Sequence, residues 1–330
     1  MSSCSGPPPP PAPPAPALPA GVTSSSSLYL KGSSAFPLFK LQQNGNKSEI
    51  GSDCPLGHTE TRDVTEEEFI KDISKLIASR EGDFSLSSNQ DEECKDTLFV
   101  VVLPLKKPIL QNGPMCGIVA LAEALQILKK GAHIDPKIIL DEAITRGYSK
   151  QGEMFSIVEM QTLAEKFGNC QQSSAKPMQV HCLHELINNI LMGRPALIPY
   201  DADYNHSPAL RKGHAAHWAV IHGLANRISL SKLGLLAENP EFKVLMSSPQ
   251  LTIVTPVLQC LDKDLVEMLI TDSLHVIAHQ GKSFRIGLWK YKDLIESNQN
   301  LKEMAPKILD NRRNTYLEIL YMVYAQRFYF

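Results

Sequence analysis

The junction Gly113-Pro114-Met115-Cys116-Gly117 constrains this fold more than any other part of the chain. Gly113 and Pro114 interrupt regular structure. From Cys116 to about Lys130, apolar residues then recur at helical spacing (Ile118, Val119, Leu121, Ala122, Leu125, Leu128), with Gly131 as a stop. A helix this apolar belongs in a core, so the remaining chain must supply the layers around it. With 330 residues there is enough chain for one large domain or two modest ones, and 43% hydrophobic with 21% charged content is ordinary for a globular protein.

The N-terminal end cannot contribute to such a core. Residues 1–20 hold nine of the 23 prolines, including Pro7 to Pro11, and favour an extended polyproline conformation. The polar, serine-rich continuation has too few apolar groups to offset ordering entropy, so residues 1–60 are expected to be disordered. The proline run is either a solubilising tail or a ligand for an aromatic groove, and plain prolines without flanking arginine suit profilin best.

A second region, 61–96, is expected to be a helix followed by an acidic linker. Thr65 and Glu68 form a capping box, and Phe69, Ile70, Ile73, Leu76 and Ile77 trace one stripe. The third region, 97–330, opens with Leu98 to Leu103 as a buried strand. Helices are expected over 116–130, 136–146, 156–167 and 180–192. Strands follow over 195–200, 216–222, 251–257, 274–279 and 284–288. Helices first and strands second indicate an α+β domain with segregated layers.

Charge and composition exclude some functions. A net charge of -2 does not suit a bulk nucleic-acid binder. No apolar run approaches the roughly 20 residues that span a bilayer, and the N-terminus lacks the layout of a signal peptide, so a cytosolic protein is expected. Seven cysteines (Cys4, Cys54, Cys94, Cys116, Cys170, Cys182, Cys260) without a CxxC read as free thiols in a reducing compartment.

Among them, Cys116 has neighbours that would activate a thiol. On the first turn of a helix, unpaired N–H groups and the helix dipole favour the thiolate. Gly117 leaves room for a substrate backbone to approach. A base is needed as well, and His217 stands at the start of an alternating apolar strand within Gly213-His214-Ala215-Ala216-His217-Trp218-Ala219-Val220-Ile221-His222-Gly223. His214 and His222 compete for the role, with His222 on the strand face opposite His217. A nucleophile at a helix start, more helices, and then a histidine on a sheet is the logic of papain-like peptidases.

Gln111 before Cys116-Gly117-Ile118-Val119-Ala120-Leu121, together with His217-Trp218-Ala219-Val220, resembles the bacteriocin-leader-processing branch of papain-like cysteine peptidases. The longer runs from Asn112 to Leu121 and from Gly213 to Gly223, with the proline-rich head, are similar to the actin maturation protease family. The resemblance implies a papain-like fold in which a helical layer, including the nucleophile helix, packs on an antiparallel sheet. It implies Cys116 as nucleophile, His217 as base and later acid, and the Gln111 amide with the Cys116 N–H as oxyanion hole. Gln111 lies five residues before Cys116, where papain-like enzymes usually have six.

The usual Asn or Asp orienter of the histidine is replaced here by His279-Gln280-Gly281-Lys282. Gln280 through its carbonyl oxygen, Asp272, or no third residue at all remain open. The implied reaction removes an acetylated Met or Cys from new actin, without a cofactor or metal. Arg194, Arg211, Lys212, Lys282 and Arg285 could steer the acidic actin terminus, or be routine surface charge. Two rivals are a non-catalytic adaptor joining profilin to a partner, and a zinc hydrolase using His214 and His217 with His181, Cys182 or His184.

Overall fold

Thr65 starts the first helix as the sequence predicts. Its hydroxyl accepts from the Glu68 N–H and the Glu68 carboxylate accepts from the Thr65 N–H, a reciprocal cap at the head of α1 (Glu66–Ser79). The computed structural model describes residues 59–84, 96–129, 131–168, 174–177, 182–229, 239–257, 263–303 and 326–329, all within one unit, Cys54–Phe330. The proline-rich head and residues 85–95 of the expected acidic linker lie outside the described residues.

In chain order the strands are β1 (Glu60–Thr61), β2 (Asp96–Val102), β3 (Ile109–Leu110), β4 (Ser174–Pro177), β5 (Ala196–Ala202), β6 (Pro208–Ala209), β7 (Ala216–Ser229), β8 (Phe242–Ser247), β9 (Leu251–Pro256), β10 (His275–His279), β11 (Gly287–Lys290) and β12 (Gln326–Tyr329). The further helices are α2 (Cys116–Leu128), α3 (Pro136–Thr145), α4 (Ile157–Gly168), α5 (Cys182–Leu191), α6 (Lys263–Leu269) and α7 (Tyr291–Gln299). β1 and β3 form a small ladder, and the other ten strands form one sheet ordered β4-β12-β5-β7-β2-β9-β8, with β10 beside β7, β11 beside β10 and β6 beside β5. Every pairing is antiparallel except β2 with β9.

The protein is an α+β fold whose long strand β7 organises the rest. Its first half pairs with β5, its second half with β2, and its middle with β10. Side chains alternate across the sheet as a pleated strand requires. Trp218 and Val220 face α2, α3 and α4, whereas Ala219 and Ile221 face α5, α6 and α7. Helices therefore cover both faces of the sheet, a fuller enclosure than the segregated layers read from element order. On the α2 side, α1 lays Phe69, Ile73 and Ile77 against Val100, Val102 and Ile277, so the 65–80 segment packs on the same sheet as the rest.

In α2, every residue from Gly117 to Gln126 is buried, as the core-helix reading requires. Leu121 and Leu125 are fully enclosed, and each contributes roughly 1.5–3 kcal/mol of burial.

Several elements depart from the sequence expectation, three of them with a clear physical reason. The expected strand over 284–288 forms later, as β11, where Trp289 pairs with Val276 and joins the core. Strand β8 lies at the sheet edge with most side chains at least partly exposed, so it carries no apolar alternation to read. Helix α7 buries Ser297 and Asn298 as hydrogen-bonding groups rather than an apolar stripe. No helix among the described residues is long and apolar enough to cross a membrane.

Candidate active site

The sulfur of Cys116 sits at the first residue of α2, and Met115 at the cap position offers no side-chain hydrogen bond to that helix end. The backbone N–H groups of Trp218, Gly117 and Cys116 itself favour the thiolate. Burial pushes the thiol pKa up, and those N–H groups, with the ammonium of Lys282, pull it back only in part. Of the seven cysteines, Cys116 is the one whose side chain lies among the described residues, and it is a half-buried free thiol.

His217 faces Cys116 across one cleft of about 390 Å³, which Gln111 also lines. Its Nε2 lies 2.6 Å from the main-chain carbonyl oxygen of Gln280. A carbonyl oxygen only accepts, so Nε2 carries the proton and Nδ1 keeps the lone pair. The ring is wedged by Tyr200, its cross-strand partner, whose ring meets it edge-on at 5.9 Å. Burial lowers the His217 pKa to about 4, with Lys282 acting in the same direction and the Gln280 hydrogen bond opposing both. Both shifts favour the uncharged forms, a thiol and an imidazole that line the same cleft. That state is ready for general-base activation of the thiol.

Gln280 meets His217 differently from the sequence expectation. Its side-chain oxygen accepts from the Lys282 N–H at 2.6 Å and its side-chain nitrogen donates to Ser283 Oγ at 3.1 Å, while the main-chain carbonyl reaches the imidazole. The side chain builds the turn and the backbone orients the histidine. Asp272 is exposed at the opposite end of β10 and takes no part. In the same turn, Gly281 has φ +72°, and its carbonyl accepts from the Gln111 N–H at 2.8 Å. The positive φ favours glycine in this turn, and a Cβ on Gly281 would also press on Val119 Cγ1 at 3.1 Å.

The Gln111 side chain donates from Nε2 to the Gly113 carbonyl at 2.8 Å. An amide nitrogen has two N–H groups, so one donor of Gln111 is not committed to Gly113. Gly117 serves another purpose than the expected substrate approach. A Cβ there would lie 2.8 Å from Met160 Cε and 2.9 Å from Met154 Cβ, so its missing side chain lets α4 and the preceding loop close on α2.

The other histidines part company. His214 is exposed with Nε2 3.1 Å from Glu303, and His222 is buried with Nδ1 donating to the Leu103 carbonyl at 3.0 Å. His214 and His217 thus direct their Nε2 atoms at different partners. Side chains of His181 and Cys182 lie outside the described residues. Among the proposed cations, Arg211 and Lys282 line the cleft, Arg194 lines a separate cavity beside Gly193, Lys212 lies 3.9 Å from Glu303, and Arg285 is exposed.

One set of residues escaped the sequence reading. Glu123, fully buried in the middle of α2, accepts from the Ile109 N–H at 2.8 Å and from His279 Nδ1 at 2.9 Å. It ties the strand before Gln111 and the strand before Gln280 to α2. The available signal was an acid inside an otherwise apolar helix.

Buried histidines also fix the acid response of the fold. Free imidazoles titrate near pH 6.5, but folded His217 and His222 stay neutral down to about pH 4. Between those values the unfolded chain binds more protons, so stability is full above about pH 6.5 and is lost as pH falls toward about 4. Each histidine accounts for at most about 3 kcal/mol of that loss. Urea unfolding midpoints at about pH 7 and about pH 4.5 should differ accordingly, and an unchanged midpoint would contradict this burial.

Residues 106–225 match the family description Actin maturation protease-like, C-terminal domain. The chain is 32% identical to an actin maturation protease of Xenopus tropicalis over 75% of its own length and 74% of that protein. It is 34% identical to the one from Danio rerio, covering 72% of each, and 35% identical to the human one, covering 63% of this chain and 57% of that protein. A solved C39-like peptidase from Bacillus anthracis aligns with 44% of this chain and 80% of its own at 14% identity. Its TM-score of 0.24 is too low to add to the assignment.

Proposed function

The chain belongs to the actin maturation protease family, and we propose that it is a cysteine aminopeptidase that removes the acetylated N-terminal Met or Cys from immature actin. A peptidase role follows from the family. The finer reading is carried by one observation, the meeting of Gln111, Cys116 and His217 in a single cleft. His217 Nδ1 takes the thiol proton as the sulfur attacks the carbonyl carbon of the acetylated residue. The oxyanion is held by the Cys116 N–H and the uncommitted N–H of Gln111. His217 then passes the proton to the leaving amine of the next residue. Water attacks the thioester with His217 as base, releasing the acetylated amino acid and restoring the thiol.

The main-chain carbonyl of Gln280 orients His217 in this scheme and needs no third catalytic side chain. A neutral carbonyl stabilises the imidazolium less than a carboxylate would, which suits an enzyme dedicated to one substrate. The reading places the reaction in the cytosol, with profilin as a partner through residues 1–20. Profilin bound to both actin and the proline run would raise the local substrate concentration.

One experiment addresses substrate and partner together. Full-length protein and a form lacking residues 1–20 are incubated with acetylated actin peptides, and with intact immature actin with and without profilin, and the products are weighed by mass spectrometry. Release of a single acetylated residue is expected from both forms, with the truncated one slower only on intact actin in the presence of profilin. No cleavage of peptide or intact actin by full-length protein would favour the adaptor reading. Equal slowing with and without profilin would sink the docking role.

A further inference from the structure

The cleft is lined by two carboxylates and two cations. Asp203 accepts from the Asn205 and Ser207 N–H groups, both at 2.8 Å, and Glu153 accepts from the Gln151 N–H at 2.7 Å. Arg211 and Lys282 line the same cleft, and neither has an ion pair among the described residues. Lys282 lies in the turn whose Gln280 and Gly281 carbonyls hold His217 and Gln111, which sets it beside Cys116 and His217 in the cleft, and its ammonium favours the Cys116 thiolate.

Arg211 is fixed in place by an uncommon piece of backbone. The Asp201 side chain, fully buried, accepts from the N–H groups of Arg211 at 2.9 Å, Gly213 at 2.7 Å and Ala215 at 3.1 Å. Between them Lys212 adopts φ +60°, a conformation that costs free energy in a non-glycine residue and persists only where its surroundings impose it. Asn300, the residue that caps the end of α7, braces the loop from outside, its Oδ1 accepting from the Lys212 N–H at 2.7 Å. The Arg211 guanidinium lies 4.9 Å over the ring of Tyr204, which is 91% exposed. Stacking on one face leaves the planar N–H edge available to an incoming carboxylate.

We infer that Arg211 and Lys282 are the specificity-determining residues for acidic side chains on the leaving-group side of the scissile bond. Lys282 takes the carboxylate adjacent to that bond, and Arg211 the one beyond it. This rests on the peptidase reading above but assigns positions that reading leaves open. The sulfur and imidazole can cut any positioned peptide bond; the two cations decide which peptides stay in the cleft. Their contribution falls with added salt because both are solvent-accessible.

The test compares an acetylated peptide bearing Asp or Glu after the first residue with its Asn or Gln counterpart. Wild-type protein should prefer the acidic peptide by about tenfold in kcat/KM, mostly through KM. Lys282→Met and Arg211→Met should each bring the acidic-to-amide ratio toward one, and Arg211→Glu should favour a lysine-bearing peptide. Variants that keep the wild-type ratio overturn the inference. If wild-type protein cleaves neither peptide, the reaction assignment fails separately. Binding of a fluorescent acidic peptide to Cys116→Ala, alone and combined with each substitution, then decides. Loss of binding on substitution and with salt supports the two sites, and unchanged binding refutes them.

Discussion

Replacing Cys116 with alanine should lower kcat/KM on an acetylated actin peptide by about 10⁴- to 10⁶-fold, the range seen when the nucleophile of a concerted catalytic unit is removed. The fold should survive. Cys116 is half-buried at the edge of the α2 cluster, and a small-for-small exchange there changes stability by about 1 kcal/mol or less. Unchanged thermal unfolding together with lost cleavage separates a chemical role from a structural one. Activity above a tenth of wild type would remove Cys116 from the mechanism and would bring back the zinc alternative, which a chelator would then test.

Glu123→Ala should be the most damaging single change to stability, lowering it by about 3–5 kcal/mol in denaturant unfolding. The substitution strips the Ile109 N–H and the His279 ring N–H of their common acceptor, both deep in the protein, and leaves a hole in α2. Glu123→Gln keeps an acceptor oxygen and should cost less. Because Ile109 and His279 precede Gln111 and Gln280, molecules of Glu123→Ala that remain folded should also lose activity beyond their lost population. A variant as stable as wild type would mean that the buried network contributes nothing.

How much of this was legible beforehand varies by residue. The α1 cap at Thr65 and the core helix from Cys116 rest on local chemistry, a reciprocal hydrogen bond and apolar spacing, and both follow from neighbouring residues in the chain. Arg211 and Lys282 were visible as charges but not distinguishable from Arg194 or Arg285. Only their placement in the cleft, and the pairing of Asp203 and Glu153 with backbone, separates them. Gln280 shows the limit most clearly. Sequence directs attention to its side chain because side chains are what a sequence lists, yet the group that reaches His217 is a carbonyl that every residue possesses.

By itself, then, the sequence determined where a thiol could be activated, since a chain break before an apolar helix places Cys116 at an end rich in unpaired N–H groups whatever surrounds it. It also determined that a histidine on the later strand run was available. The tertiary structure decided what makes them a pair. β7 brings His217 to the cleft through pairings with β5 and β10, and the turn after β10 supplies both the carbonyl for the imidazole and the anchor for Gln111. The two hydrogen bonds made by that turn join residues more than sixty positions apart, and they depend on backbone groups whose direction is set by strand register and a left-handed glycine. No spacing along the chain encodes that direction.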